Sequence, residues 1–254
     1  MFMYNYRKKI FPFLSALLWL CFLLCDLFTT VDTTWIKYTS ICLCCLTALL
    51  GATTTDGRLV AAALCFTVAA DWFLLVRNDH YEWGIGLFII VQLFYALRLF
   101  YLRGKKICIW ELVLRCVSFL LFFLLFLLAG YFLIFKLGAL FESDWVHEKG
   151  DFLSPLLFFL VSVSLPYVIP VWIYFSNLCI NAAGAFALKK HLFAIGLVLF
   201  ILCDLCVGAY NLALCFDFTL SFAQVGMWFF YLPSQVLIVL SQETETGDLD
   251  ETKL

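Results

Sequence analysis

The strongest constraint on this chain is its succession of apolar runs, each near the length of a membrane crossing and separated by short polar breaks. A helix needs about 20 predominantly apolar residues to cross the hydrocarbon core of a bilayer. By that length the breaks divide the chain into eight spans, at residues 10–28, 35–50, 59–76, 84–102, 107–135, 153–188, 191–210 and 218–241. Lipid offers no partner for a free backbone N–H or C=O, so each span must satisfy its own backbone as a helix. Composition agrees: 65% of the residues are hydrophobic and 13% charged, against about 25% charged in soluble domains. The expected fold is all-α, a polytopic membrane protein built as a bundle of eight transmembrane helices. Residues 1–241 are expected to form one helical domain, and the acidic stretch 242–254 a disordered tail.

The first run follows Arg7, Lys8 and Lys9 and superficially resembles a signal peptide. It lacks a small-residue cleavage site and leads into further spans, so it reads as a retained first helix. The sixth run contains Pro155, Pro166 and Pro170, which predict a kink or a broken first turn. A second crossing hidden in that run stays open as an alternative. Basic residues set the orientation. Ten of them (Arg7, Lys8, Lys9, Arg58, Arg103, Lys105, Lys106, Lys189, Lys190, Lys253) fall on one side and four (Lys37, Arg77, Lys136, Lys149) on the other, which predicts cytoplasmic N and C termini. Arg98 and Arg115 lie inside spans and enter neither count. The net charge of −2 leaves no basic excess for nucleic acid. The twelve cysteines sit almost entirely in apolar runs and read as small packing residues.

Two carboxylates stand out inside this apolar frame. Asp71 lies in "FTVAADWFLLV" and Asp204 in "FILCDLCVGAYN". Both spans run outward, and each acid precedes its outer end by about five or six residues, ~8–9 Å below the surface. Ionisable groups at membrane depth are rare and mark function by default. The alternative is that each is simply paired or capped, with Lys37 able to reach one of them by snorkelling. Asp26, near the outer end of the first span, reads as reaching for water. Further polar side chains recur at helical spacing: Gln92 and Tyr95, Asn177 and Asn181, Tyr231 and Gln235. Each pair is as well explained by a hydrogen bond between helices as by a ligand. Glu111 and Arg115 read as a local i,i+4 ion pair. Neither a metal-site spacing nor a nucleotide or nucleophile-elbow motif occurs, so no metal and no cofactor are expected.

At these residues the chain resembles the YhhN, or lysoplasmalogenase, family of integral membrane proteins. "VAADWFLLV" with "GIGLFIIVQLFYALRLF" resembles the family's aspartate-bearing third span and its fourth. "AIGLVLFILCDLCVGAYNL" resembles the second aspartate motif, and "WFFYLPSQVLIVLS" the terminal Tyr-x-x-x-Gln motif. The likeness runs from about Lys37 to Ser241. Gln92 stands where many members have His, Ala70 where Gly is usual, and Cys203 where Ser is usual. The resemblance implies hydrolysis of the vinyl ether bond of a lysolipid in a cell membrane, expected to be bacterial. The implied partners are the lysolipid substrate and membrane lipids. Such chemistry needs a general acid and a companion carboxylate; Asp71 and Asp204 are the expected catalytic pair. Lys37, Gln92, Tyr95, Asn211, Tyr231 and Gln235 are the expected substrate-binding residues. A proton-coupled transporter, or a non-catalytic lipid-binding protein, is the competing class.

Overall fold

The computed structural model describes residues 6–77, 79–121, 123–124, 165–215 and 220–243. The described residues are helical with short connections and contain no strand. The helices are α1 (Phe11–Phe28), α2 (Thr34–Leu50), α3 (Thr55–Asp71), α4 (Tyr81–Leu102), α5 (residues 109–121), α6 (Leu165–Ala187), α7 (His191–Cys215) and α8 (Ser221–Leu240). A π-helical segment, Tyr6–Ile10, leads into α1, and another, Trp72–Arg77, continues α3 directly after Asp71. Six helical stretches are long and apolar enough to cross a membrane: Tyr6–Phe28, Thr55–Arg77, Tyr81–Leu102, Ile169–Ala187, His191–Asn211 and Ser221–Leu240. α2 is apolar and shorter, at 17 residues, or about 25 Å. This is a multi-pass membrane protein. Of the expected crossings at 107–135 and 153–188, residues 122, 125–135 and 153–164 lie outside the described residues, as does the tail beyond Glu243.

The chain divides into two compact units, one of residues 1–107 with 177–254 and the other of residues 108–176. The second unit contains α5 and the first half of α6. There the Trp172 indole N–H donates to the Ser118 carbonyl at 3.1 Å, and Glu111 and Arg115 form the expected i,i+4 ion pair at 3.8 Å.

In the first unit α2, α3 and α4 pack as sequence neighbours, and α8 lies along α7 and also packs on α1 and α2. Helix α1 shows why such a chain needs lipid. Phe13, Leu17, Leu20, Leu24 and Leu27 form one exposed apolar stripe, while Phe11, Ser15 and Phe22 are buried. Glycine sets the closest approaches. A Cβ on Gly196 of α7 would lie 3.1 Å from the Ser234 carbonyl oxygen of α8. A Cβ on Gly57 would lie 2.8 Å from the Gly51 carbonyl oxygen, which lets the start of α3 fold back on the end of α2.

α8 contains Pro233. Proline has no N–H to give to the carbonyl four residues earlier, here that of Phe229. The Trp19 indole N–H of α1 donates to that carbonyl at 3.2 Å, so the break in α8 is capped by a neighbouring helix. The break falls between Tyr231 and Gln235.

Before α2, the Thr34 N–H donates to Asp32 at 2.9 Å. Hydrogen bonding to Thr34 holds the Asp32 carboxyl below its ordinary value.

Candidate active site

Asp71 closes α3 and is 5% exposed. Its Oδ2 accepts a hydrogen bond from the Tyr231 hydroxyl at 2.7 Å. Tyr231 is itself buried, wedged against Phe200 at 5.5 Å and Trp228 at 5.3 Å between ring centroids. Tyr38, Cys42 and Cys44 of α2 lie within electrostatic range of the carboxyl. After Asp71 the backbone passes into its π-helical segment, whose Trp72 packs on Tyr38 at 5.7 Å. Such departures from the α-helix often mark functional sites because they re-aim side chains over a single turn.

Asp204 lies mid-way along α7 and is half-buried. The helix runs on to Cys215, past the expected end at Tyr210. The neighbouring Cys203 is buried, and its thiol lies within electrostatic range of both Asp204 and Asp71. Asp204 also acts on Cys179 of α6.

Several expected site residues carry polar atoms in the interior that find no hydrogen-bond partner among the described residues. Tyr95 is fully buried and its hydroxyl has no partner. It stacks edge-on against Phe193 of α7 at 5.4 Å. The Gln235 amide nitrogen reaches Ser234 Oγ at 3.4 Å, while its buried Oε1 is unpartnered. Gln92 is 1% exposed; its Nε2 is unpartnered, and its Oε1 accepts from Asn181 at 3.0 Å. A buried polar atom left without a partner is costly, so three in the expected site residues call for an explanation.

Two other residues are placed differently from expectation. Asn211 is exposed, and its side chain donates to the Val207 carbonyl of its own helix at 3.0 Å. Asp26 does not reach for water: it accepts from Lys37 Nζ at 2.7 Å and from Thr33 Oγ1 at 2.6 Å. Lys37 also lies 5.3 Å from the Trp228 ring and 5.9 Å from Phe22. Its charge is thus neutralised by α1 rather than by Asp71 or Asp204.

The largest polar feature was not foreseen. Arg98 of α4 and Asp56 of α3 are 1% and 0% exposed and meet in a two-pronged ion pair at 2.6 and 3.0 Å. Arg98 also donates to Ser241 Oγ at 2.8 Å and to the Ser241 carbonyl at 2.7 Å. The Glu243 N–H donates to Asp56 at 2.8 Å. Arg7 donates to the carbonyls of Val239 and Gln242, both at 2.7 Å. Gln242, expected to begin a disordered tail, is 6% exposed and donates to the carbonyls of Ala48 and Gly57. The signal for this knot was an arginine inside a span, which requires an anion.

The comparison with family models matches residues 33–242 to the YhhN family. The chain belongs to the YhhN family. The YhhN match takes in α2 to α8, and hence both aspartates; α1, with Asp26 and Trp19, precedes it. No curated protein sequence matches the chain. No solved structure matches it either. Among the described residues no three His, Cys, Asp or Glu side chains converge to hold a metal ion.

Proposed function

We propose that this YhhN protein is a membrane-embedded hydrolase that cleaves the vinyl ether bond of lysoplasmalogen-type lysolipids. The family is associated with lysoplasmalogenase activity. The observation that carries the reading is Asp71: a carboxyl buried in a helix long and apolar enough to cross a membrane, held by Tyr231 in a unit with unfilled hydrogen-bonding capacity.

The reaction adds one water across the substrate. A proton passes to the β carbon of the vinyl ether, leaving an oxocarbenium ion at the carbon bonded to oxygen. Water adds there and gives up a proton, and the resulting hemiacetal collapses to a fatty aldehyde and a glycerophospho-alcohol. Asp71 is the donor in this scheme, since a neutral acid is less costly to bury than an anion and Asp71 is the more buried of the two. Tyr231 occupies Oδ2 as a donor, which leaves Oδ1 to carry the acid proton. Asp204 is the anionic companion that stabilises the cation and takes the proton from water. Gln92, Tyr95 and Gln235 orient the glycerol and the water. Lys37, near the start of α2, meets the lipid phosphate in this scheme, giving up its Asp26 partner to do so. No cofactor is required.

The test is aldehyde release from an alkenyl lysolipid by the purified protein in nanodiscs, beside the saturated ether analogue, which cannot form the cation. Turnover of the alkenyl lipid alone, abolished in Asp71→Asn, is expected. Comparable aldehyde release by Asp71→Asn and Asp204→Asn would reject the assignment.

A further inference from the structure

Asn181 lies on α6 and is completely buried. Its Nδ2 is 3.0 Å from the Gln92 backbone carbonyl and also 3.0 Å from Gln92 Oε1. The first contact fixes the second. A backbone carbonyl only accepts, so the Asn181 atom that meets it is the nitrogen. The Gln92 atom facing that same nitrogen must then be the oxygen. An isolated glutamine amide is free to present either end; this one is not. Its Nε2 is turned away from Asn181, buried, and without a partner among the described residues. A donor locked in place at the cost of its own hydrogen bonds is what a preorganised ligand contact requires.

The ligand chemistry follows from the donor. The Gln92 amide is neutral, and its side chain accepts from another neutral amide. A neutral N–H suits an uncharged oxygen, a hydroxyl or an ether, whereas a phosphate favours a cation. In a lysolipid those oxygens belong to the glycerol backbone. We propose that Asn181 is a positioning residue, fixing the Gln92 amide so that Nε2 donates to an uncharged glycerol oxygen of the bound lysolipid. This rests on the reading of the site given above, but only on its lipid and not on its chemistry.

A double-mutant cycle separates positioning from simple packing. Wild type, Asn181→Leu, Gln92→Leu and the double variant are compared in nanodiscs. Three quantities are measured: affinity for a saturated-ether lysolipid, kcat and KM for the alkenyl lysolipid, and melting temperature. Each single substitution should weaken binding about tenfold, and the double variant should bind no worse than Gln92→Leu alone. Independent, multiplying losses would overturn the inference. So would unchanged binding with only a lower melting temperature. If Asn181→Leu does not fold, Asn181→Ser, which is shorter and keeps a hydroxyl, replaces it in the same cycle. Wild type that binds the saturated lipid with the non-additive pattern but releases no aldehyde supports the inference and removes the hydrolase. Wild type that binds neither lipid removes the inference.

Discussion

Two buried acids on one helix, Asp56 and Asp71, stand at opposite ends of α3 and in opposite circumstances. Asp56 is saturated: two bonds from Arg98, a third from the Glu243 N–H, and Arg98 in turn satisfied by Ser241. Asp71 receives a neutral bond from Tyr231. Unfilled donors and acceptors remain within the same unit on Gln92, Tyr95 and Gln235. A fully paired ion pair in a protein interior has nothing left to offer a ligand and acts on the fold. A buried acid with a neutral partner and spare polar capacity around it is equipped for chemistry. The difference teaches that burial of a charge does not by itself indicate function; the completeness of its hydrogen bonding does.

Substitutions at the two ends should therefore separate activity from stability. The largest effect on catalysis is expected from Asp71→Asn, which keeps the shape and removes the acid: a fall of about 10²–10⁴ in kcat, with a melting temperature close to wild type. If its thermal stability collapses while the surviving fraction turns over normally, the contrast fails. At the other end Arg98→Met should destabilise by about 3–5 kcal/mol, because Asp56 is left buried and unpaired. Thermal unfolding in detergent reads this, and replacing Asp56 by Leu as well should restore much of the loss. Specific activity per folded molecule should not move.

Smaller effects sharpen the comparison. Tyr231→Phe removes the neutral bond to Asp71, and kcat should fall about tenfold, the equivalent of one hydrogen bond. No change in kcat would mean that Tyr231 does not act on the acid. Trp19→Phe leaves the Phe229 carbonyl uncapped beside Pro233 and should lower stability by about 1–3 kcal/mol. The smallest effect belongs to Asn211→Ala. Its side chain is exposed and, among the described residues, bonds only its own helix, so activity should stay within about twofold. A large loss there would return Asn211 to the site.

The sequence was informative about the helices because apolar length is a local property. The third and fourth spans were expected at 59–76 and 84–102, and the structure has Thr55–Arg77 and Tyr81–Leu102. Boundaries shifted where polar residues could still be helical: Thr54 caps α3 through the Gly57 N–H, which places Asp56 inside the helix rather than in a loop. Within the site, burial of Asp71, Tyr95, Tyr231 and Gln235 agreed with their choice as polar residues on apolar helices. Asp26 did not behave as expected, since its surroundings depend on Lys37 of α2 passing beside α1. Asn181 was visible only as one half of an i,i+4 pair; its partner is 89 positions away.

Sequence alone determined that the chain spans a membrane as helices, because a backbone in lipid has no other way to satisfy its polar groups. It also determined that acids lie within those helices. Only the tertiary structure decided which acid is neutralised by an arginine and which is left to a tyrosine. Those bonds join residues 42 and 160 positions apart, and periodicity along one helix carries no information about the helix it will face.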